Sequence, residues 1–184
     1  MTFNIPNILT LVRLVLIPVF LVLYYLPWQY AYITAAVVFV LAAMTDALDG
    51  YLARKLNQST PFGAFLDPVV DKLMVASALV VLVQSYEGSI WMTIAAIIMI
   101  GREIVISALR EWMAELGKRG SVAVSWIGKV KTAAQMAAIT GLITHYNEWV
   151  IDLSMVMLYV ATVLTLWSMM VYIKAAWSDL IGNH

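Results

Sequence analysis

Six apolar stretches of about twenty residues follow one another along this chain, and a bundle of membrane-crossing helices is the fold that accommodates them. They run over roughly 8–26, 30–54, 61–86, 90–112, 122–144 and 150–177, separated by the short polar breaks LPWQY, KLNQST, QSYEGS, AELGKRGS and HYNEW. A helix rising 1.5 Å per residue needs about 20 residues to cross a hydrocarbon layer about 30 Å thick. In lipid the backbone must satisfy its own hydrogen bonds, which a helix does and an open strand does not. Composition agrees: 63% of the residues are hydrophobic and 12% charged, against about 45–50% and about 25% in soluble domains. The expected fold class is all-α, a polytopic membrane protein with six transmembrane helices. No linker, low-complexity tract or internal repeat divides it, so residues 1–184 are expected to form a single membrane domain. No charged segment precedes the first apolar run and no small-residue cleavage pattern follows it, so that span is expected to be retained.

Six spans put both termini and alternate breaks on one side, and the basic residues say which side that is. Arg54, Lys55, Lys118, Arg119 and Lys174 fall there, and Arg13, Lys72, Arg102, Arg110, Lys129 and Lys131 lie within spans nearer the same side. The opposite breaks, around Trp28, Glu87 and Asn147, contain no Lys or Arg. The positive-inside rule makes the basic side cytoplasmic. Both termini are therefore expected on the cytoplasmic side. Trp28, Tyr30, Tyr86, Trp91, Tyr146 and Trp149 gather at the opposite ends of the spans, where aromatics serve either as interfacial anchors or as helix packing.

Several chemistries lack their parts. There is no cysteine, and the only histidines are His145 and His184, which removes thiolate metal sites, His-based zinc sites and Ser-His-Asp triads. Eleven Lys and Arg balance eleven Asp and Glu, so no net field draws a nucleic acid, and none is expected as a partner. Acid-base work is left to carboxylates.

Those carboxylates are concentrated. Asp46 and Asp49 end the second span, three residues apart, and Asp67 and Asp71 begin the third, four apart. On helices each pair shares a face, with Cβ atoms about 5–6 Å apart. A short loop between the two helices can aim all four at one spot, and Ser59 or Thr60 as cap with Pro61 in the first turn would start the third helix near Pro61. Four uncompensated aspartates in lipid would cost about 10 kcal/mol or more on insertion scales. Oxygen-only ligands select hard cations, Mg²⁺ or Mn²⁺, and four carboxylates can neutralise two of them. Two such ions hold the attacking and leaving oxygens of a displacement at phosphorus, which points to phosphoryl-type transfer. Gly50, Ala53 and Gly63 beside the aspartates let backbone approach a bulky ligand, and are also ordinary membrane packing residues. Arg54 can bind a diphosphate oxygen, or be a snorkelling anchor.

The spacing Asp46-x2-Asp49-Gly50-x2-Ala53-Arg54-x8-Gly63-x3-Asp67-x3-Asp71 resembles the full signature of the CDP-alcohol phosphotransferases, eight fixed positions at fixed separations. NIPNILTLVR, QSTPFGAFLDP, GREIVISALREWMAELGKR and SVAVSWIGKVKT extend the likeness over nearly the whole chain, to the bacterial branch whose acceptor is glycerol phosphate. The resemblance implies a six-helix fold of the bacterial inner membrane, usually a homodimer, with a cavity open to the cytoplasmic side, that transfers the phosphatidyl group of CDP-diacylglycerol to sn-glycerol 3-phosphate and releases CMP, as a step of phospholipid biosynthesis. It implies that Asp46, Asp49 and Asp67 ligate metal and that Asp71 contacts metal and acts as general base. Pro6, Asn7, Gly50, Ala53, Arg54, Thr60 and Gly63 correspond to positions that contact the CDP-alcohol.

A phosphorylated acceptor needs a second basic site. Arg110 and Lys131 match positions that hold the acceptor's phosphate in related transferases. Arg102 is either a third such group or a structural partner of Glu103, and Lys129 either a fourth or a positive-inside anchor. A sibling transferase using serine or choline would not need Arg110 and Lys131, whereas one using inositol phosphate would. An ion-coupled transporter also carries intramembrane carboxylates, but it predicts Pro- or Gly-broken helices in two corresponding halves, and the chain has no such pairing.

Overall fold

The computed structural model of this chain describes residues 5–56, 60–117 and 126–180. Those residues form six helices and no strand: α1 (Ile5–Tyr25), α2 (Ala31–Leu56), α3 (Pro61–Ser85), α4 (Ile90–Glu115), α5 (Trp126–Thr144) and α6 (Glu148–Leu180). The expected all-α class holds, and each helix coincides with one apolar stretch. The predicted start of the fifth stretch at 122 lies outside the described residues. Helices α1, α4 and α6 are by themselves long and apolar enough to cross a membrane. In α2, α3 and α5 the apolar run is interrupted by Asp46 and Asp49, by Asp67, Asp71 and Lys72, and by Lys129 and Lys131.

The helix starts follow local chemistry. Thr60 is the N-cap of α3, extended at φ −117° and ψ 151°, and its hydroxyl accepts from the backbone N–H of Gly63 at 3.0 Å. Pro61 follows in the first turn, where its missing N–H loses no helical bond. Ser89 caps α4 in the same way, accepting from Met92 N. Pro18 and Pro68 lie inside α1 and α3, and both helices run through them.

The α1 helix packs along α2 and α3, α5 along α6, and further contacts join α2 to α5, α3 to α4 and α4 to α6. The core is built on small and aromatic residues. Ala35, Ala36, Ala78, Ala95, Ala96, Ala138 and Ala161 are buried, allowing the helix backbones to approach as membrane helices do. Phe20 and Phe39 fill the space beside them, their rings 6.1 Å apart and tilted. At the α5–α6 crossing a β-carbon on Gly141 would lie 3.1 Å from Ser154 Cβ and closer still to its hydroxyl, so the two helices meet where only glycine fits. The outer surface is apolar: Val15, Val22, Val80, Ile97, Val163 and Trp167 are all exposed, while Arg13, Arg102, Lys131 and Gln135 are buried. This inversion of the soluble pattern suits a solvent of hydrocarbon.

At the end of the bundle holding the breaks without Lys or Arg, the aromatics divide into two groups. Trp28, Tyr30, Trp91, Tyr146 and Trp149 are exposed. Tyr86 packs inward, stacked on His145 with ring centroids 5.0 Å apart and donating to the carbonyl of Leu142. Tyr24 donates to Ser85 Oγ at 2.7 Å and lies 2.8 Å from His145 Nε2. His145 has φ 46°, the left-handed turn that ends α5 and lets α6 return. Burial among these rings lowers its pKa below the ordinary value.

Candidate active site

At the other end, five helices close around a cavity of about 300 Å³ whose walls are polar in an otherwise apolar bundle. Helix α2 contributes Asp46, α3 Asp71 and Lys72, α4 Arg102, Glu103 and Arg110, α5 Thr132 and Gln135, and α6 Tyr172. Asp71 is exposed to this space, within electrostatic reach of Asp46, Asp67 and Glu103. Four residues earlier on α3, Asp67 stands one helical turn away. Of the four aspartates, Asp46, Asp67 and Asp71 thus lie within electrostatic reach of one another.

Between Asp46 and Asp67 lies a residue that the spacing argument did not single out. Arg13 of α1 donates from Nη1 to Asp46 Oδ1 and from Nη2 to Asp67 Oδ1, so one guanidinium ties three helices at the carboxylates. It is 2% exposed. The signal for it was in the sequence: α1 carries a single charged residue, and an isolated intramembrane charge is functional by default.

The start of α3 fastens to α1 through the residues predicted for the CDP-alcohol. Thr60 donates to Asn7 Oδ1 at 2.8 Å while accepting from Gly63 N. A β-carbon at Gly63 would collide with Asn7 Oδ1 and lie 3.2 Å from Thr60 Oγ1, so here the glycine permits a close approach rather than a turn. The side chains of Pro6, Asp49, Gly50, Ala53, Arg54 and Lys129 lie outside the described residues. Their backbones place Pro6 in the first turn of α1, Asp49 to Arg54 in the last turns of α2, and Lys129 in the first turn of α5.

The α4 wall carries two arginines. Arg102 and Arg110 both line the cavity, and the buried Nε of each has no hydrogen-bond partner. Two guanidinium groups lining one cavity give it positive charge of a kind that suits an anion. Arg102 also pairs with Glu103 at 2.5 Å, the structural partnership expected of it, and it lines the cavity as well. Arg110 lies 5.6 Å from the ring centre of Tyr172, a cation–π contact that limits where its guanidinium can point. Lys131 is 2% exposed and lies behind the wall, within electrostatic reach of Arg102, Glu103 and Arg110. Lys72, Gln135 and Tyr172 were not among the predicted site residues. A tyrosine or glutamine in an apolar span reads as packing until its neighbours are known.

Among the described residues, which do not include the side chain of Asp49, no three His, Cys, Asp or Glu side chains converge closely enough to hold a metal ion. The donor chemistry fits a hard divalent cation all the same. Every predicted ligand is a carboxylate, and the space between Asp46 and Asp67 already draws positive charge, from Arg13.

Residues 3–167 match the family of the CDP-alcohol phosphatidyltransferases. Proteins from Escherichia coli, Shigella flexneri and Salmonella typhi, each named CDP-diacylglycerol--glycerol-3-phosphate 3-phosphatidyltransferase, are 58% identical over 183 residues, covering 100% of this chain and 100% of each relative. With the match running through every helix that lines the cavity, the chain belongs to the CDP-alcohol phosphatidyltransferase family.

Proposed function

We propose that this protein transfers the phosphatidyl group of CDP-diacylglycerol to sn-glycerol 3-phosphate, giving phosphatidylglycerol phosphate and CMP. The observation that carries this reading is one cavity lined by Asp46 and Asp71 from α2 and α3 and by Arg102 and Arg110 from α4. A transferase for a neutral acceptor has no use for the two arginines. The names of the full-length relatives support the same acceptor.

Asp46, Asp49, Asp67 and Asp71 would hold two divalent cations, Mg²⁺ or Mn²⁺. Such ions neutralise a diphosphate and polarise its phosphorus toward attack. The chain's own residues do the rest. Asn7, Thr60 and Gly63, with Pro6, Gly50, Ala53 and Arg54, receive the CDP part while the acyl chains stay in lipid. Arg110 and Arg102 take the phosphate of the acceptor through charge-assisted hydrogen bonds, and Lys131 adds positive charge behind them. Asp71, at the cavity face, accepts the proton of the acceptor hydroxyl. That oxygen bonds to the lipid-bearing phosphorus, the bond from this phosphorus to the bridging diphosphate oxygen breaks, and CMP departs with the bond's electron pair. No covalent enzyme intermediate is needed.

All six helices are proposed to span the bacterial inner membrane as one domain, with both termini and the cavity on the cytoplasmic side, where basic residues flank the spans, and two copies are proposed to form a homodimer. The deciding experiment is purified protein with labelled CDP-diacylglycerol and a panel of acceptors, scored by product mass. Phosphatidylglycerol phosphate is the expected product. A product formed only from serine, choline or inositol phosphate would overturn the assignment.

A further inference from the structure

Arg13 is the one charge in α1, and the guanidinium cannot shed its proton to escape an apolar environment. It must be paired, and its partners include two of the carboxylates proposed above as metal ligands, on two different helices. The fork matters: Nη1 serves Asp46 and Nη2 serves Asp67, so one cation stands between two anions. Without it, two carboxylates would face each other with water on only part of their surface, 40% and 38% of each side chain being exposed, and like charges repel most where water is scarce.

We propose that Arg13 is the built-in counter-ion of the carboxylate site, holding Asp46 and Asp67 in place and competing for them with the divalent cation that the transfer reaction uses. This rests on the reading of those aspartates as metal ligands. An oxygen that accepts from Arg13 has less to offer a metal, so Arg13 has to release or share at least one carboxylate for the site to load. The empty site is thereby kept folded, and cation binding is weaker than the carboxylates alone would make it. A residue serving only to tie α1 to its neighbours would have no such opposing effect on metal affinity.

The test is equilibrium Mn²⁺ binding to the full chain in detergent, without substrate, read from the electron paramagnetic resonance signal of free Mn²⁺. Thermal unfolding in chelator and in Mn²⁺ is followed in parallel. Arg13→Gln is expected to bind Mn²⁺ about tenfold more tightly or better, from the loss of a competing charged hydrogen-bond pair. It should unfold at lower temperature than the native chain in chelator, and gain more from Mn²⁺. Unchanged or weaker Mn²⁺ affinity in Arg13→Gln, with the native chain binding normally, overturns the counter-ion role alone. Absence of Mn²⁺ binding by the native chain removes the metal reading and this proposal with it. Should Arg13→Gln not fold, Arg13→Lys decides: one ammonium spans two carboxylates poorly, so its affinity should rise by a smaller factor, and an unchanged or lower affinity overturns the proposal.

Discussion

Thr60 donates its hydroxyl to Asn7 Oδ1 across 2.8 Å, so the residue that caps α3 also fastens α3 to the start of α1. Gly63 completes the arrangement, since a methyl group there would displace the Asn7 amide. Gly63→Ala is therefore expected to break the Thr60–Asn7 bond without unfolding the bundle. One hydrogen bond is worth about 0.5–1.5 kcal/mol, so the KM for CDP-diacylglycerol should rise about two- to tenfold. The KM for glycerol phosphate should stay put, and initial rates with each substrate varied in turn measure both.

Substitutions at the carboxylates should separate the proposed metal holding from proton transfer. Asp46→Ala, Asp49→Ala and Asp67→Ala should each lose more than about nine-tenths of turnover while still inserting and purifying. Asp71→Asn keeps an oxygen at the cavity face but cannot accept the proton, and general-base losses run about 10²–10⁴-fold. Its affinity for CDP-diacylglycerol should survive. Binding lost in proportion to rate would assign Asp71 to holding the ligand instead.

Arg110 and Tyr172 form one unit on the acceptor wall. Arg110→Ala removes charge-assisted hydrogen bonds worth about 1.5–3 kcal/mol, so the acceptor KM should rise about ten- to a hundredfold with the CDP-diacylglycerol KM unmoved. Lys131→Ala should act in the same direction. Tyr172→Phe keeps the ring and should be close to native, whereas Tyr172→Leu should raise the acceptor KM several-fold, by about 0.5–1 kcal/mol. Equal effects of the two Tyr172 variants would assign its role to the hydroxyl.

Because the chain has no cysteine, orientation can be read with single introduced thiols. Cysteines placed at Glu87 and Asn147 should react with a membrane-impermeant maleimide in intact cells. Those at Gln58 and Gly120 should react only after the membrane is opened. The reverse pattern would put the cavity on the wrong side.

His145 gives the opposite end a pH dependence. Burial lowers its pKa below the ordinary 6.5, so between the folded and unfolded values the unfolded chain binds the extra proton. The contribution to stability is fully present above about 6.5 and is lost as pH falls below it. The rings around it, Tyr24, Tyr32 and Tyr86, carry no charge change in that range. The thermal midpoint should fall from pH 7.5 to 5 in the native chain. It should fall less in His145→Asn, since asparagine tolerates the positive φ.

What could be read in the sequence follows from how local the physics is. The α3 start at Thr60 and Pro61 was legible because a cap depends on three consecutive residues, and the aspartate pairs because helical spacing alone puts them on one face. Helix ends were less so: α4 continues to Glu115 and α6 to Leu180, past the ends expected at 112 and 177, and in α4 Met113 still packs into the cluster with Ile106 and Tyr172. Arg13 was legible as a charge on the basic side but not as a partner of Asp46 and Asp67, which lie 33 and 54 residues away. Tyr172 was hidden for the same reason, since only the folding of α6 against α4 brings it under Arg110.

The glycine at the α5–α6 crossing is a fulcrum. Lys131 lies ten residues before Gly141 on α5, about 15 Å along the axis, and Tyr172 lies beyond Ser154 on α6, on the same arm of the crossing. Any wedge between Gly141 and Ser154 would be magnified by the time it reached the acceptor wall. The breadth of the cavity is thus governed partly by a contact outside its lining. A designer seeking a bulkier acceptor can work on that lever instead of hollowing out the wall.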